Sequence, residues 1–246
     1  LLLKPGRSIT ARNHRDGPAP WVDCPTHCVL VETPEGRLLW DTSCPRDWEE
    51  RWGPTGLQDF FPYDKVSDSE YLDARLNQVG VGLDQIDMVI LSHLHFDHAG
   101  NANMFKGTNA RLVCHEKERE FAFGFDGLFT GAHLKTDYED LTFETVSGDD
   151  IEIAPGVRLI ETPGHTVGCM SMRVDLPDTG TMIFTSDAVY MGESWGPPTT
   201  PAAIVNNLEQ FYASVEKLRG IQERTNATMV FGHDADQIHQ LRVAPE

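Results

Sequence analysis

Ser92-His93-Leu94-His95-Phe96-Asp97-His98-Ala99-Gly100 decides how the rest of this chain is read. Three histidines and one carboxylate fall between His93 and His98. The apolar run Met88-Val89-Ile90-Leu91 just before them reads as a buried strand, and Ala99-Gly100 behind them as the opening of a helix. The ligand-type side chains thus sit on a loop at the C-terminal end of a strand, where open α/β sheets place their sites. In an extended loop His93, His95 and Asp97 project to one side while His98 points elsewhere. One short segment can therefore feed two metal positions. Imidazole nitrogen with carboxylate oxygen suits Zn²⁺ and its first-row neighbours.

The same arrangement recurs outward from this segment. Val157-Arg158-Leu159-Ile160 runs into Thr162-Pro163-Gly164-His165, Met182-Ile183-Phe184-Thr185 into Ser186-Asp187, and Thr228-Met229-Val230-Phe231 into Gly232-His233-Asp234. Each apolar strand is followed by a ligand-type residue. Upstream, Cys28–Thr33 and Arg37–Asp41 flank Pro34-Glu35-Gly36, which is hairpin chemistry. Pro45 to Tyr63 carries Trp48, Trp52, Phe60, Phe61 and Tyr63 without a clean period, as functional loops do. Ser67-x-x-Glu70 is a capping box for a helix that ends near Gly80. His115–Phe121 reads as helix, and 124–138 as an irregular second loop over the site. Thr200-Pro201 opens a helix whose Ile204, Leu208, Phe211, Val215 and Leu218 form one apolar face ending at Gly220. Two halves, each of strands followed by helix, predict two sheets packed face to face with helices outside.

Composition narrows the possible partners. The chain has 246 residues, 38 acidic against 20 basic, for a formal charge of −18. Such a surface repels polyanions and shows no basic patch, so nucleic acid is not expected as a partner. No run reaches the length of a membrane span, and no membrane partner is expected. The five cysteines (24, 28, 44, 114, 169) lack a close CxxC pair and read as thiols kept reduced in the cytoplasm. The length fits one domain, residues 1–246. A homodimer is compatible with it.

His93-Leu94-His95-Phe96-Asp97-His98, Pro163-Gly164-His165, Asp187 and His233, in this order from about Cys28 to Asp234, resemble the metallo-β-lactamase superfamily. That resemblance implies an αββα sandwich with two mixed sheets and a two-metal site. Carried over residue by residue, His93, His95 and His165 hold one metal, Asp97, His98 and His233 the other, and Asp187 bridges them. The β-lactamases themselves usually have Cys or another ligand where Asp187 stands, which argues against that activity. The wording of His93–Asn101, Thr162–Thr166, Asp187-Ala188-Val189-Tyr190 and Phe231–Asp234 is similar to the N-acyl homoserine lactonases. In that branch a Tyr three residues past the bridging Asp bonds the substrate carbonyl, a role that falls on Tyr190.

The resemblance implies a hydrolase that opens a lactone ring on two divalent ions, Zn²⁺ first and Co²⁺, Mn²⁺ or Fe next. A divalent pair lowers the pKa of water from 15.7 toward ~7 and polarises an ester carbonyl. Asp97 is either a ligand alone or a ligand that also takes the attacking water's proton. An acyl chain needs an apolar groove, for which Trp21, Phe60, Phe61, Phe105 and Phe129 are candidates, with His133 as a polar contact. His14, His27 and His239 read as loop or surface histidines, and Asp234 as a residue that orients a ligand. Other functions stay open: a thioesterase, a hydrolase of other lactones or organophosphates, a single-iron persulfide dioxygenase-like oxidoreductase, or a non-catalytic binding protein.

Overall fold

Alternation along the first hairpin fixes which way the first sheet faces. The structure, a computed structural model, describes residues 2–3, 8–12, 21–63, 66–201, 204–241 and 244. His14 and the side chains of Trp21 and Phe60 lie outside the described set. Cys28–Thr33 pairs antiparallel with Gly36–Trp40, with Val29 opposite Trp40 and Val31 opposite Leu38. Side chains two apart share a face. Val29, Val31, Leu38 and Trp40 accordingly enter one buried cluster, and Cys28, Leu30 and Leu39 another.

The first sheet runs Leu2–Leu3, Cys28–Thr33, Gly36–Trp40, Met88–Ile90, Arg111–His115, Phe143–Val146. The second runs Ile151–Ala154, Val157–Glu161, Met170–Leu176, Gly180–Phe184, Thr228–Val230. Both are mixed. Their inner faces meet in a core where Trp40, Ile90 and Val113 of the first sheet pack with Leu159, Met172 and Phe184 of the second. Leu72 and Leu76 cover the outside of the first sheet, and Phe211, Val215 and Leu218 the outside of the second. This is the expected αββα sandwich.

Strand direction places the site. In the first sheet Gly36–Trp40, Met88–Ile90 and Arg111–His115 are mutually parallel. In the second, Val157–Glu161, Gly180–Phe184 and Thr228–Val230 share one direction, since the first two flank Met170–Leu176 antiparallel and the last two pair parallel. The C-terminal ends of each set gather on one rim, and Asp41, His93, His165, Asp187 and His233 follow those ends.

Three local expectations change. The helix expected over 200–220 spans Leu208–Thr225 instead, with the Asn207 side chain accepting from Gln210 N–H and Asn226 ending it at φ 52. The preceding residues bind the His165 loop: Asn206 and Asn207 donate backbone N–H groups to the carbonyls of His165 and Gly164. The capping box Ser67/Glu70 closes a 3₁₀ turn, Asp68–Glu70, before the helix Leu72–Gln78 begins. The period-two display of the histidine loop stops at His95, because Phe96–Ala99 is a helical turn. Asp97 therefore goes with His98, not with His93 and His95.

Candidate metal centre

Two clusters of buried ligand-type side chains meet on the rim: His93, His95 and His165, and beside them Asp97, His98, Asp187 and His233. Within each cluster the ligand atoms lie within 4.8 Å of one another. His165 Nε2 is 3.2 Å from His93 Nε2 and 2.9 Å from His95 Nδ1. Asp187 joins the clusters, its Oδ2 lying 3.1 Å from His165 Nε2 and its Oδ1 3.1 Å from His98 Nε2 and 3.0 Å from His233 Nε2. Asp97 Oδ2 is 3.5 Å from His98 Nε2 and 3.6 Å from His233 Nε2.

The outward nitrogens decide what the inward ones present. His165 Nδ1–H donates to the Ile204 carbonyl at 2.8 Å, and His233 Nδ1–H to the Pro25 carbonyl at 3.1 Å. His98 Nδ1–H donates to Asp41 Oδ2 at 2.9 Å, and His93 Nδ1–H to Ser92 Oγ at 3.0 Å. In the neutral imidazole each of these bonds places the ring proton on the outward nitrogen and leaves the inward one as the ligand atom. In the first cluster two such nitrogens, of His93 and His165, converge with His95 Nδ1 at the spacing a cation between them would take up. In the second, His98 Nε2 is buried without a hydrogen-bond partner. These donors fit divalent metal ions of the imidazole- and carboxylate-binding kind.

Electrostatics point the same way. Burial and the neighbouring imidazoles hold His93 and His95 well below the ordinary histidine range, and burial lowers His165 against the pull of Asp187. Burial opposes the charged forms of His98 and His233 too, but Asp187 and Asp97 outweigh it and raise both. Asp187 itself is driven up by burial and pulled well below the carboxylate range by His233, His98 and His165. The site attracts positive charge.

The supporting frame includes residues that the sequence did not single out. Asp41, buried at the end of Gly36–Trp40, accepts from His98, from Ser92 N–H at 2.7 Å and from Ser92 Oγ at 2.9 Å, while Ser186 Oγ–H donates to Ser92 Oγ at 2.7 Å. One acidic side chain thus braces members of both clusters. The rule of a strand followed by a polar residue identifies it, but Asp41 reads as the last residue of its strand. Asp41, Ser43 and Ser186 hold φ of 58, 60 and 48, backbone strain of the kind that collects at functional sites. Gly164 has φ 139, and a Cβ there would lie 2.4 Å from Phe211 N, so the Pro-Gly-His turn needs glycine.

A small cavity opens on the clusters. His95, Asp97, Tyr190 and His233 line it with Phe61, Phe96 and Ile204. Tyr190 is half-buried, its ring 4.8 Å from that of His233. Burial and Asp187 push its hydroxyl well above the usual phenol range, so it stays a donor. Among the aromatic candidates Phe61 lines this cavity, and Phe96, between His95 and Asp97, joins it unanticipated. Phe105 is in the core outside the first sheet, and Phe129 lines a separate surface depression with Arg51 and Leu134. His133 is buried behind His95, its ring 4.5 Å away and its Nε2–H donating to Glu118. His27, expected on a loop or the surface, is buried near His233 and His98, where desolvation lowers it to about 3. Asp234 caps the helix Ala235–Gln240 and accepts from Gly192 N–H, which holds the turn after Tyr190.

The sequence profile of the metallo-beta-lactamase superfamily matches residues 21–233. The chain belongs to that superfamily. It is 32% identical over 235 residues to the N-acyl homoserine lactonase AiiB of Agrobacterium fabrum, covering 89% of this chain and 83% of the relative. It is 30% identical over 233 residues to an N-acyl homoserine lactonase of Bacillus thuringiensis, covering 93% and 89%. A solved N-acyl homoserine lactone hydrolase, with the product N-hexanoyl-L-homoserine at its catalytic metal centre, superposes with a TM-score of 0.83 at 28% identity, covering 100% of this chain and 96% of that one. Within the superfamily, this chain therefore sits with the N-acyl homoserine lactonases. No helix among the described residues is long and apolar enough to cross a membrane.

Proposed function

We propose that this member of the superfamily hydrolyses the lactone ring of N-acyl homoserine lactones, using two divalent ions, preferably Zn²⁺, held by His93, His95 and His165 and by Asp97, His98 and His233, with Asp187 shared. The observation that carries the reading is Asp187 turning one oxygen to each cluster beneath a cavity that Tyr190 overlooks. The relatives named lactonases support the substrate class. Bound there, the two ions acidify water and polarise a carbonyl. The complete second cluster favours two metals over a single-iron oxygenase.

The protein's own groups divide the remaining work. Tyr190 O–H donates to the carbonyl oxygen as negative charge develops on it, a hydrogen bond to a charged acceptor worth about 1.5–3 kcal/mol. Asp97, next to the cavity, accepts the proton of the attacking water. The ring C–O bond then breaks and the alkoxide takes up a proton while tethered to the product. At neutral pH each ring opened yields a carboxylate and releases one proton. Phe61, Phe96 and Ile204 form the apolar wall for the acyl chain.

Proton release tests this directly. Metal-loaded protein is mixed with butanoyl and decanoyl homoserine lactones in weak buffer with an indicator dye, beside chelator-stripped protein. Acidification abolished by stripping and restored by Zn²⁺ is expected. A protein that binds two ions and releases no protons would overturn the substrate, and weight would pass to other lactones, thioesters and phosphotriesters.

A further inference from the structure

Glu118 is fully buried on the first turn of the helix Glu116–Gly124, outside both ligand clusters. Every partner of its carboxylate is a donor. Oε1 accepts from Leu94 N–H at 3.0 Å and from His133 Nε2–H at 2.8 Å, and Oε2 accepts from Gly168 N–H at 3.0 Å. Leu94 is the residue between His93 and His95. Gly168 closes the loop that carries His165. His133 packs its ring edge-on against His95 at 4.5 Å and pairs with it as an isolated β-bridge. Three segments that deliver or buttress the first cluster therefore converge on one side chain. His98 and His233 are held elsewhere, by Asp41 and by the Pro25 carbonyl.

A second observation shows how closely these segments are joined. A Cβ at Gly168 would lie 2.5 Å from Glu118 N and 2.6 Å from Glu118 Cβ. The helix start and the His165 loop are thus in backbone contact, and only glycine permits it. Contact at that distance brings Gly168 N–H within reach of the short glutamate stem.

We propose that Glu118 is a positioning residue for the first metal position, holding His93, His95 and His165 at the spacing that position requires, while making no contact with the ligands of the second. The chemistry demands an anion there. A glutamine offers one acceptor oxygen and an NH₂ donor, so in either orientation a buried N–H faces another N–H. Partners that orient ligands from outside the coordination sphere typically change metal affinity by about 10–100-fold when removed. This inference rests on the two-metal reading of the site, but it concerns metal binding and not turnover.

The test measures Co²⁺ binding to metal-free protein, by visible absorption and by competition with a chelator. Glu118→Gln is compared in two backgrounds: His233→Ala, which leaves the first position, and His165→Ala, which leaves the second. In the His233→Ala background affinity is expected to fall about 10–100-fold, and in the His165→Ala background to change by no more than about twofold. Equal weakening in both, or none in the first, would overturn the proposal, since a merely structural role affects both positions alike. If Glu118→Gln does not fold by circular dichroism, His133→Phe decides on the same comparison. It removes one donor, leaves both backbone bonds, and should give a smaller loss confined to the first position. Unsubstituted protein that binds fewer than two ions would sink the two-metal reading before any variant is compared. Two ions bound without lactone turnover would sink the substrate alone.

Discussion

His93, His165, Asp187 and His233, on the floor of the site, are at most 2% exposed, whereas Leu128 and Phe129, in the loop that reaches the site at Ala132, stand at 64% and 42%. The floor is held by directional bonds: His93 to Ser92, His98 to Asp41, His165 to Ile204, His233 to Pro25. Breaking any of them strands a buried polar group. The rim is held by apolar contact, such as the rings of Phe61 and Phe96 with centroids 6.1 Å apart. Apolar contact is non-directional and tolerates changes of shape. The contrast assigns the reaction to the floor and the choice of acyl group to the rim. Floor substitutions should cost every substrate alike, and rim substitutions should sort substrates by chain length.

The largest effect is expected at Asp187, where the two clusters share one carboxylate. Asp187→Asn removes the negative charge that both positions use, so metal content by atomic emission should fall for both ions. Turnover should drop by more than about a hundredfold, beyond what loss of an outer partner causes. Retention of two tightly bound ions would break the assignment of Asp187 as bridge. Asp41→Asn tests the floor one step further out. It should weaken metal affinity by about 10–100-fold, with butanoyl and decanoyl substrates slowed equally once metal is saturating. Unequal slowing would blur the line between floor and rim.

That line also separates what the sequence reveals from what it conceals. His93, His95, His165, Asp187 and His233 are legible because each follows an apolar strand, and strand direction carries them to one edge of the sandwich. Asp41 obeys the same rule and is hidden only because it reads as the last residue of its strand. Glu118 is hidden for a different reason. It stands in Glu116-Lys117-Glu118-Arg119-Glu120, a charged run that reads as a solvated helix face, and its burial follows from the close approach of Gly168. His27 lies in a loop, one of the two places expected of it, but its burial is hidden because one residue type in a loop carries no sign of what packs over it. The aromatic rim is the least legible. Phe61, Phe105 and Phe129 look alike in sequence and end in the cavity wall, the core and the surface. Apolar side chains have no preferred partner, so only tertiary packing sorts them.

Tyr190 stands where floor and rim meet, and its expected effect is intermediate. Tyr190→Phe keeps the ring against His233 and removes the hydroxyl. A hydrogen bond to a charged oxygen is worth about 1.5–3 kcal/mol, so kcat should fall roughly ten- to a hundredfold with both ions retained. Unchanged kcat would remove Tyr190 from the chemistry. A fall in metal content would move it down to the floor.

The smallest effect, and the most selective, is expected at Phe61. Phe61→Ala removes one wall of the cavity, but Phe96 stays anchored, its ring 4.7 Å from that of the fully buried Trp52. The floor beneath should not move, so metal content and kcat should hold. What changes is apolar area offered to the acyl chain. Losing contact with one or two methylenes costs about 0.8 kcal/mol each, so KM for a decanoyl lactone should rise by about four- to fifteenfold. A butanoyl lactone, too short to extend along that wall, should be nearly unaffected. If both substrates lose equally in kcat, Phe61 supports the floor through Phe96, and the division between a rigid floor and a selective rim fails at this residue. If neither changes, the acyl chain leaves the cavity by another wall, and Ile204 is the next position to substitute.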